Sequence, residues 1–262
     1  MRICVLGSGS RGNAVYVGAG PCHLLIDAGF SPRQLQLRLA PLGVGLGDLT
    51  AVCLTHEHAD HARSALALNR RFGVALYANA GTIDGLGPAA ADAPWHVFST
   101  GFPFRIGEVT VEPFSVSHDA LDPVGFALAW EETRVGVALD LGMATQLTRE
   151  RLRGAHALVV ESNHDEGLLL QAPRPWTLKQ RIRSHQGHLS NRETAALLEE
   201  VAGPQLRQVF LAHLSEECNS EGLALDSARQ ALTACGCGHT AVAATRADRP
   251  SDVWTAWALA AG

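Results

Sequence analysis

The chain has 262 residues, 21 Lys+Arg against 26 Asp+Glu, and a formal net charge of -5. Its 47% hydrophobic and 18% charged residues exclude a disordered chain, and the negative sum excludes a bulk cationic nucleic-acid coat. With only 26 Gly and 12 Pro it is not collagen-like, which leaves a globular protein long enough for a real core.

The first half reads as strand-rich. Ile3–Leu6, Ala14–Val17 and His23–Ile26 are short apolar runs bounded by Gly, Pro and Ser, which predicts consecutive strands. Ser31-Pro32 opens an amphipathic helix to Leu39, with Ser at the cap and Pro in the first turn. Ala51–Leu54 is a further strand that ends in the polar cluster THEHADH, residues 55–61. A helix is predicted from Ala62 to Arg71, then a strand at Val74–Tyr77 and a loop over Gly85–Pro94. Phe102–Arg105, Glu108–Val116, Val124–Trp130 and Val135–Leu139 form an expected antiparallel series, with tight turns at Ile106-Gly107 and Glu131–Thr133.

Strand and helix alternate in the second half. Ala157–Val160 and Val209–Leu211 are predicted strands. Thr177–Arg183, Asn191–Val201 and Ser220–Thr233 are predicted helices, the second capped by Ser190 with Glu193 placed for a capping box. Ala241–Ala244 and Val253–Trp257 close the chain as strands. No repeat of fixed short period and no low-complexity linker interrupts it, so a single α/β domain over residues 1–262, built on two mixed sheets, is the coarse expectation.

No apolar run approaches transmembrane length, so no membrane partner is expected. The N-terminal MRICVLGSGSRGN holds too short an apolar stretch for a signal peptide. The six cysteines show no CxxC pair, so buried thiols and a cytoplasmic location are expected. Cys235-Gly-Cys237 is a weak alternative site for a soft metal.

Histidine is over-represented, with 12 residues. His56, His58 and His61 fall within six residues, with Asp60 between them, where a strand hands over to a helix. Ligands gather at the carboxyl ends of strands in open α/β layers. Imidazole with carboxylate suits Zn²⁺, Mn²⁺ or Fe²⁺. His118, Asp140 and His213 each follow a predicted strand and share that address. Two such ions can activate a water they share and absorb phosphate charge.

From Ala172 to Arg192 there are five basic residues, Arg174, Lys179, Arg181, Arg183 and Arg192, and no acidic residue. Trp176 lies in the same segment and is placed to stack a base. Such a patch suits a polyanion, with Lys179, Arg183 and Ser190 as candidate phosphate contacts. Ser8–Asn13 offers a second candidate through backbone N–H groups, with Ser10 and Asn13 in contact; a plain strand–strand turn is the alternative.

The ligand order HxHxDH, His, Asp, His resembles that of the metallo-β-lactamase fold superfamily. SGSRGN, LLIDAG, THEHADH, SHDA, LDLG, ESNHD, LKQRI, GHLSN and AHLS are together similar to the YycJ/WalJ-type hydrolases of that superfamily. The resemblance implies a four-layer αββα sandwich and phosphodiesterase chemistry, with exonuclease action on DNA favoured. It implies two divalent ions, Zn²⁺ or Mn²⁺ before Fe²⁺. His56, His58 and His118 would hold the first; Asp60, His61 and His213 the second; Asp140 would bridge both. Asp60 would also be essential to catalysis. Asp27 would orient a ligand, and His188 resembles the proton donor of the tRNA-processing relatives. Glu161 or His164 would orient His188, with His164 approaching the metals as an alternative. Leu139 stands where the family usually has Thr, and Cys218 interrupts an Asn-rich tail; neither replaces a ligand. The competing readings are a thioesterase of the glyoxalase II kind and a non-catalytic metal-bound regulator.

Overall fold

The computed structural model describes residues 1–256. Its first half supplies β1 (Arg2–Gly7), β2 (Ala14–Ala19), β3 (Cys22–Ile26), β4 (Ala51–Cys53), β5 (Ala75–Ala78) and β6 (Trp95–Val97). The second supplies β7 (Phe104–Ile106), β8 (Val109–Ser115), β9 (Val124–Trp130), β10 (Thr133–Ala138), β11 (Ala157–Glu161), β12 (Gln208–Ala212), β13 (Ala241–Ala244) and β14 (Trp254–Thr255). Two seven-stranded sheets result, ordered β14-β1-β2-β3-β4-β5-β6 and β13-β12-β11-β10-β9-β8-β7. Each has an antiparallel half followed by a parallel half: the change falls at β3 in one sheet and at β10 in the other. This likeness of the halves is architectural and leaves no short repeat in the sequence.

Strands buried on both faces read as unbroken apolar runs, and the packing shows why. Ile3, Val5, Val159 and Phe126 point between the sheets. Their neighbours Cys4 and Leu6 point to the helix layer over the first sheet, and Leu158 and Val160 to that over the second. The result is the αββα sandwich, with three apolar layers between four structural ones. Each fully buried Leu or Ile contributes about 1.5–3 kcal/mol by leaving water.

Several expectations need correcting. The helix predicted over Ala62–Arg71 is two pieces, Ala59–Ala62 and Ala65–Phe72. Ser64 interrupts it because its N–H donates to Ala28 O (2.9 Å) and its Oγ to Phe30 O (2.6 Å). The expected loop Gly85–Pro94 contains a short helix, Pro88–Ala91, and leads into β6. Helices Gln146–Leu152 and Glu166–Gln171 were not expected; Thr145 and Asp165 cap them. Trp257, the last residue of the final expected strand, lies outside the described residues. The cysteines are free and mostly buried. Among the described residues no helix is long and apolar enough to cross a membrane.

Candidate metal centre and cleft

The carboxyl ends of the parallel strands converge on one edge of the sandwich. Asp27 follows β3, the THEHADH cluster follows β4, Asp140 follows β10, Glu161 ends β11 and His213 follows β12. Asp27, Asp140 and His213 have φ of 65°, 52° and 56°. Only one other non-glycine residue among those described, Glu131, is left-handed. Such a residue swings the chain sharply off its strand and is sparsely populated, so its clustering here marks a built site.

The side chains form overlapping donor groups, two of which, His56/His61/Asp140 and Asp140/Glu161/His188/His213, share Asp140. Donor atoms of His56, His58 and His118 converge, as do those of Asp60, His61 and His213. Asp140 lies between them: Oδ2 is 2.8 Å from His61 Nε2, and Oδ1 is 3.9 Å from His118 Nε2. The Asp140–His61 approach is close, yet Asp140 Oδ2 forms no aligned hydrogen bond. His56 Nε2 and His213 Nε2 are likewise buried without a partner. Buried polar atoms are normally paired, because an unmet one costs about 1–3 kcal/mol. Unpaired imidazole nitrogens and carboxylate oxygens aimed at common points are the donor set of borderline divalent ions, and the site fits them.

The other ends of these ligands are held firmly. Asp27 is fully buried; its Oδ2 accepts from His61 Nδ1 at 2.7 Å and its Oδ1 from Thr55 N at 2.8 Å. Thr55 Oγ1 stands 3.0 Å from His56 Nδ1. Glu161 is equally buried. Its Oε1 lies 2.8 Å from His188 Nδ1 and 2.9 Å from His213 Nδ1, while Oε2 accepts from Leu141 N and Leu189 N. Carboxylates behind imidazoles fix the ring orientation and raise its basicity.

The electrostatics follow from these contacts. Burial opposes charge on His61, but Asp140 and Asp27 raise its pKa well above the ordinary value. Burial, with His61 adding, pushes His56 well below it. Burial opposes ionisation of Asp140 too, yet His213 and His61 hold its carboxyl well down. For His188, desolvation is outweighed by Glu161, and the pKa is raised to about 9.

A cleft of about 360 Å³ opens beside these groups, lined in part by Ser10, His118, Asn163, Arg181, His188 and Ser215. Of the expected phosphate contacts, Ser10 lies in it. Others do not. Lys179 is buried and donates from Nζ to Leu170 O at 2.6 Å. Ser190 is spent in the capping box with Glu193. Arg183 is exposed but lies outside the lining. Asn13 is fully buried against His61 and Asp60, so it faces ligands rather than solvent. The backbone N–H groups of Ser8, Gly9, Gly12 and Asn13 are already used internally, which leaves those of the exposed Ser10 and Arg11 to meet a phosphate.

The five-cation segment is also less positive than it reads. Arg174 pairs with Glu217 (2.8 Å), Arg181 with Asp119 (2.6 Å) and Arg192 with Glu166 (2.8 Å). Those acids lie outside the segment in sequence. His164 is buried with Nδ1 unpaired and joins none of the donor groups; Cys235 and Cys237 join none either. Sequence reasoning missed Thr55 and Asn163, whose Nδ2 donates to His213 O at 2.8 Å. Neither residue type signals such a role by itself.

The family described as Beta-lactamase superfamily domain matches residues 23–214. Exodeoxyribonuclease YycJ of Bacillus anthracis is 33% identical over 241 residues, covering 91% of each chain. Exodeoxyribonuclease WalJ of Streptococcus pneumoniae is 33% identical over 228 residues, covering 85% of each. Among solved structures, the metallo-β-lactamase fold protein YhfI of Bacillus subtilis superposes with a TM-score of 0.73 at 18% identity, covering 97% of this chain and 98% of that one. Zn²⁺-bound PqqB of Methylobacterium extorquens gives 0.70 at 18% identity, covering 96% and 100%.

Proposed function

The chain belongs to the β-lactamase superfamily, and within it we propose a metal-dependent exodeoxyribonuclease. The observation that carries this reading is the pair of donor groups facing each other across Asp140, beside a cleft that His188 enters. The names of the two 33% identical relatives support DNA as the polymer.

His56, His58 and His118 would hold one divalent ion, and Asp60, His61 and His213 a second, with Asp140 shared. Zn²⁺ or Mn²⁺ suits this mixed imidazole and carboxylate set better than a hard ion such as Mg²⁺. When bound, the ions supply Lewis acidity that activates water and neutralises phosphate charge. The protein supplies the proton. With Nδ1 engaged by Glu161, His188 offers its other ring nitrogen to a leaving oxygen in the cleft. Against desolvation, Glu161 and Asp140 raise the His188 pKa to about 9 in the protein alone, which favours the protonated ring. Glu161 is the positioning residue, because it holds both His188 and His213. Ser10, Asn163 and Arg181 line the space a nucleotide would take.

The test is a panel of end-labelled single- and double-stranded DNA and RNA, with Zn²⁺- or Mn²⁺-loaded protein. Progressive shortening of DNA from an end is expected, and Asp60→Ala should abolish it. Turnover of thioesters with no nucleic acid degraded would overturn the assignment in favour of an acyl hydrolase.

A further inference from the structure

Ser8 and Asn13 sit in the first turn of the chain, far in sequence from every candidate ligand. Both are buried. Ser8 Oγ accepts from His213 N at 2.9 Å and donates to Asn13 Oδ1 at 2.7 Å. Gly9 N also donates to that oxygen, at 3.0 Å, which fixes the amide so that Nδ2 points the other way. Nδ2 lies 3.2 Å from Gly9 O, 2.9 Å from His61 Nε2 and 3.4 Å from Asp60 Oδ2. The Asn13 backbone doubles the attachment, since its N–H donates to Asp60 O at 2.7 Å.

One short relay therefore touches His213, His61 and Asp60, the three members of the second donor group. No such bond joins it to His56, His58 or His118. We infer that Ser8 and Asn13 are positioning residues that assemble the Asp60/His61/His213 site and leave the His56/His58/His118 site alone; this rests on the two-ion reading above. One Nδ2 hydrogen serves Gly9 O; the other is shared between His61 Nε2 and the Asp60 carboxylate, and would fall to Asp60 alone when His61 Nε2 holds an ion. Holding that carboxylate and the backbone of His213 in one frame sets the width of the site. Gly29 makes the approach sterically feasible: a Cβ there would stand 1.7 Å from Asp60 O and 2.7 Å from Asn13 N.

The test is titration of metal-free protein with Zn²⁺ alone, followed by calorimetry and native mass spectrometry. Wild type should take two equivalents. Asn13→Ala should keep the affinity of one equivalent and weaken the other by about 10- to 100-fold, the usual cost of losing an outer partner of a ligand. Ser8→Ala should weaken the same equivalent, and Ser8→Thr, which keeps the hydroxyl, should restore it. His213→Ala identifies that equivalent independently. Wild type binding fewer than two ions would overturn the dinuclear reading itself. Two ions in wild type, with both affinities unchanged in Asn13→Ala and Ser8→Ala, would overturn the relay, whatever happens to Tm. If Asn13→Ala does not fold, the Ser8 pair decides.

Discussion

Asp27, fully buried and left-handed, accepts the Nδ1 hydrogen of His61 on Oδ2 at 2.7 Å. That bond commits the opposite nitrogen of His61 to the Asp140 side of the site. Asp27→Asn preserves tolerance of positive φ but replaces an acceptor oxygen with a donor amide. One of Thr55 or His61 then faces a donor. Metal affinity should fall by about 10- to 100-fold, measured by competition with a chromogenic chelator. Asp27→Ala should also destabilise the fold by about 3 kcal/mol in urea, since it strips a partner from a buried network. Unchanged affinity in Asp27→Asn would rule out an orienting role.

His188 and Glu161 make a pH-dependent pair. The folded pKa of His188 is raised to about 9 by Glu161 against desolvation. Its contribution to stability is therefore fully present below about pH 6.5 and is lost as pH rises through about 9. Metal-free wild type should lose stability between pH 7 and pH 9.5 more steeply than His188→Gln does. Parallel urea-midpoint profiles for the two proteins would contradict the pairing.

Turnover should separate the proton donor from the ligands. His188→Ala should reduce kcat by about 10²- to 10⁴-fold while both metals remain bound, as for removal of a general acid. Metal content is read by mass spectrometry beside the rate. Loss of an ion in this variant would reassign His188 to the ligand set.

Gly29 has no room for a side chain, with Asp60 O only 1.7 Å from a built Cβ. Gly29→Ala must push the Asp60 segment away from Asn13. A loss of at least about 1–3 kcal/mol is expected from overpacking, along with weaker binding of one metal ion. Wild-type stability with full metal occupancy would mean that the segment moves freely.

Five phosphate contacts from the basic segment would give a salt slope of about -4.5 in log K against log[NaCl]. Arg174, Arg181 and Arg192 already face carboxylates, and Lys179 is buried. A slope shallower than about -3 is expected for metal-free protein on a labelled duplex, by fluorescence anisotropy. A slope near -4.5 would show that DNA displaces the acidic partners.

The candidate ligands were legible in the chain itself, because their chemistry is local. HxHxDH packs four donor-bearing residues into six positions, and His118, Asp140 and His213 each follow an apolar run that reads as a strand. The two mixed sheets were legible for the same reason, since strands buried on both faces leave unbroken apolar stretches; the four-layer sandwich followed from the resemblance of the motifs. What surrounds the ligands was not legible. Asn13 meets His61 across 48 residues and Ser8 meets His213 across 205. Arg181 finds Asp119 across 62, which turns a cationic run into paired charge. These partners are set by strand order and by crossovers that bring distant strand ends to one edge. The side chains themselves are ordinary Ser, Asn and Asp, with no local pattern that marks them. Composition and spacing chose which atoms can bind metal; only the three-dimensional path of the chain decided what holds those atoms in place.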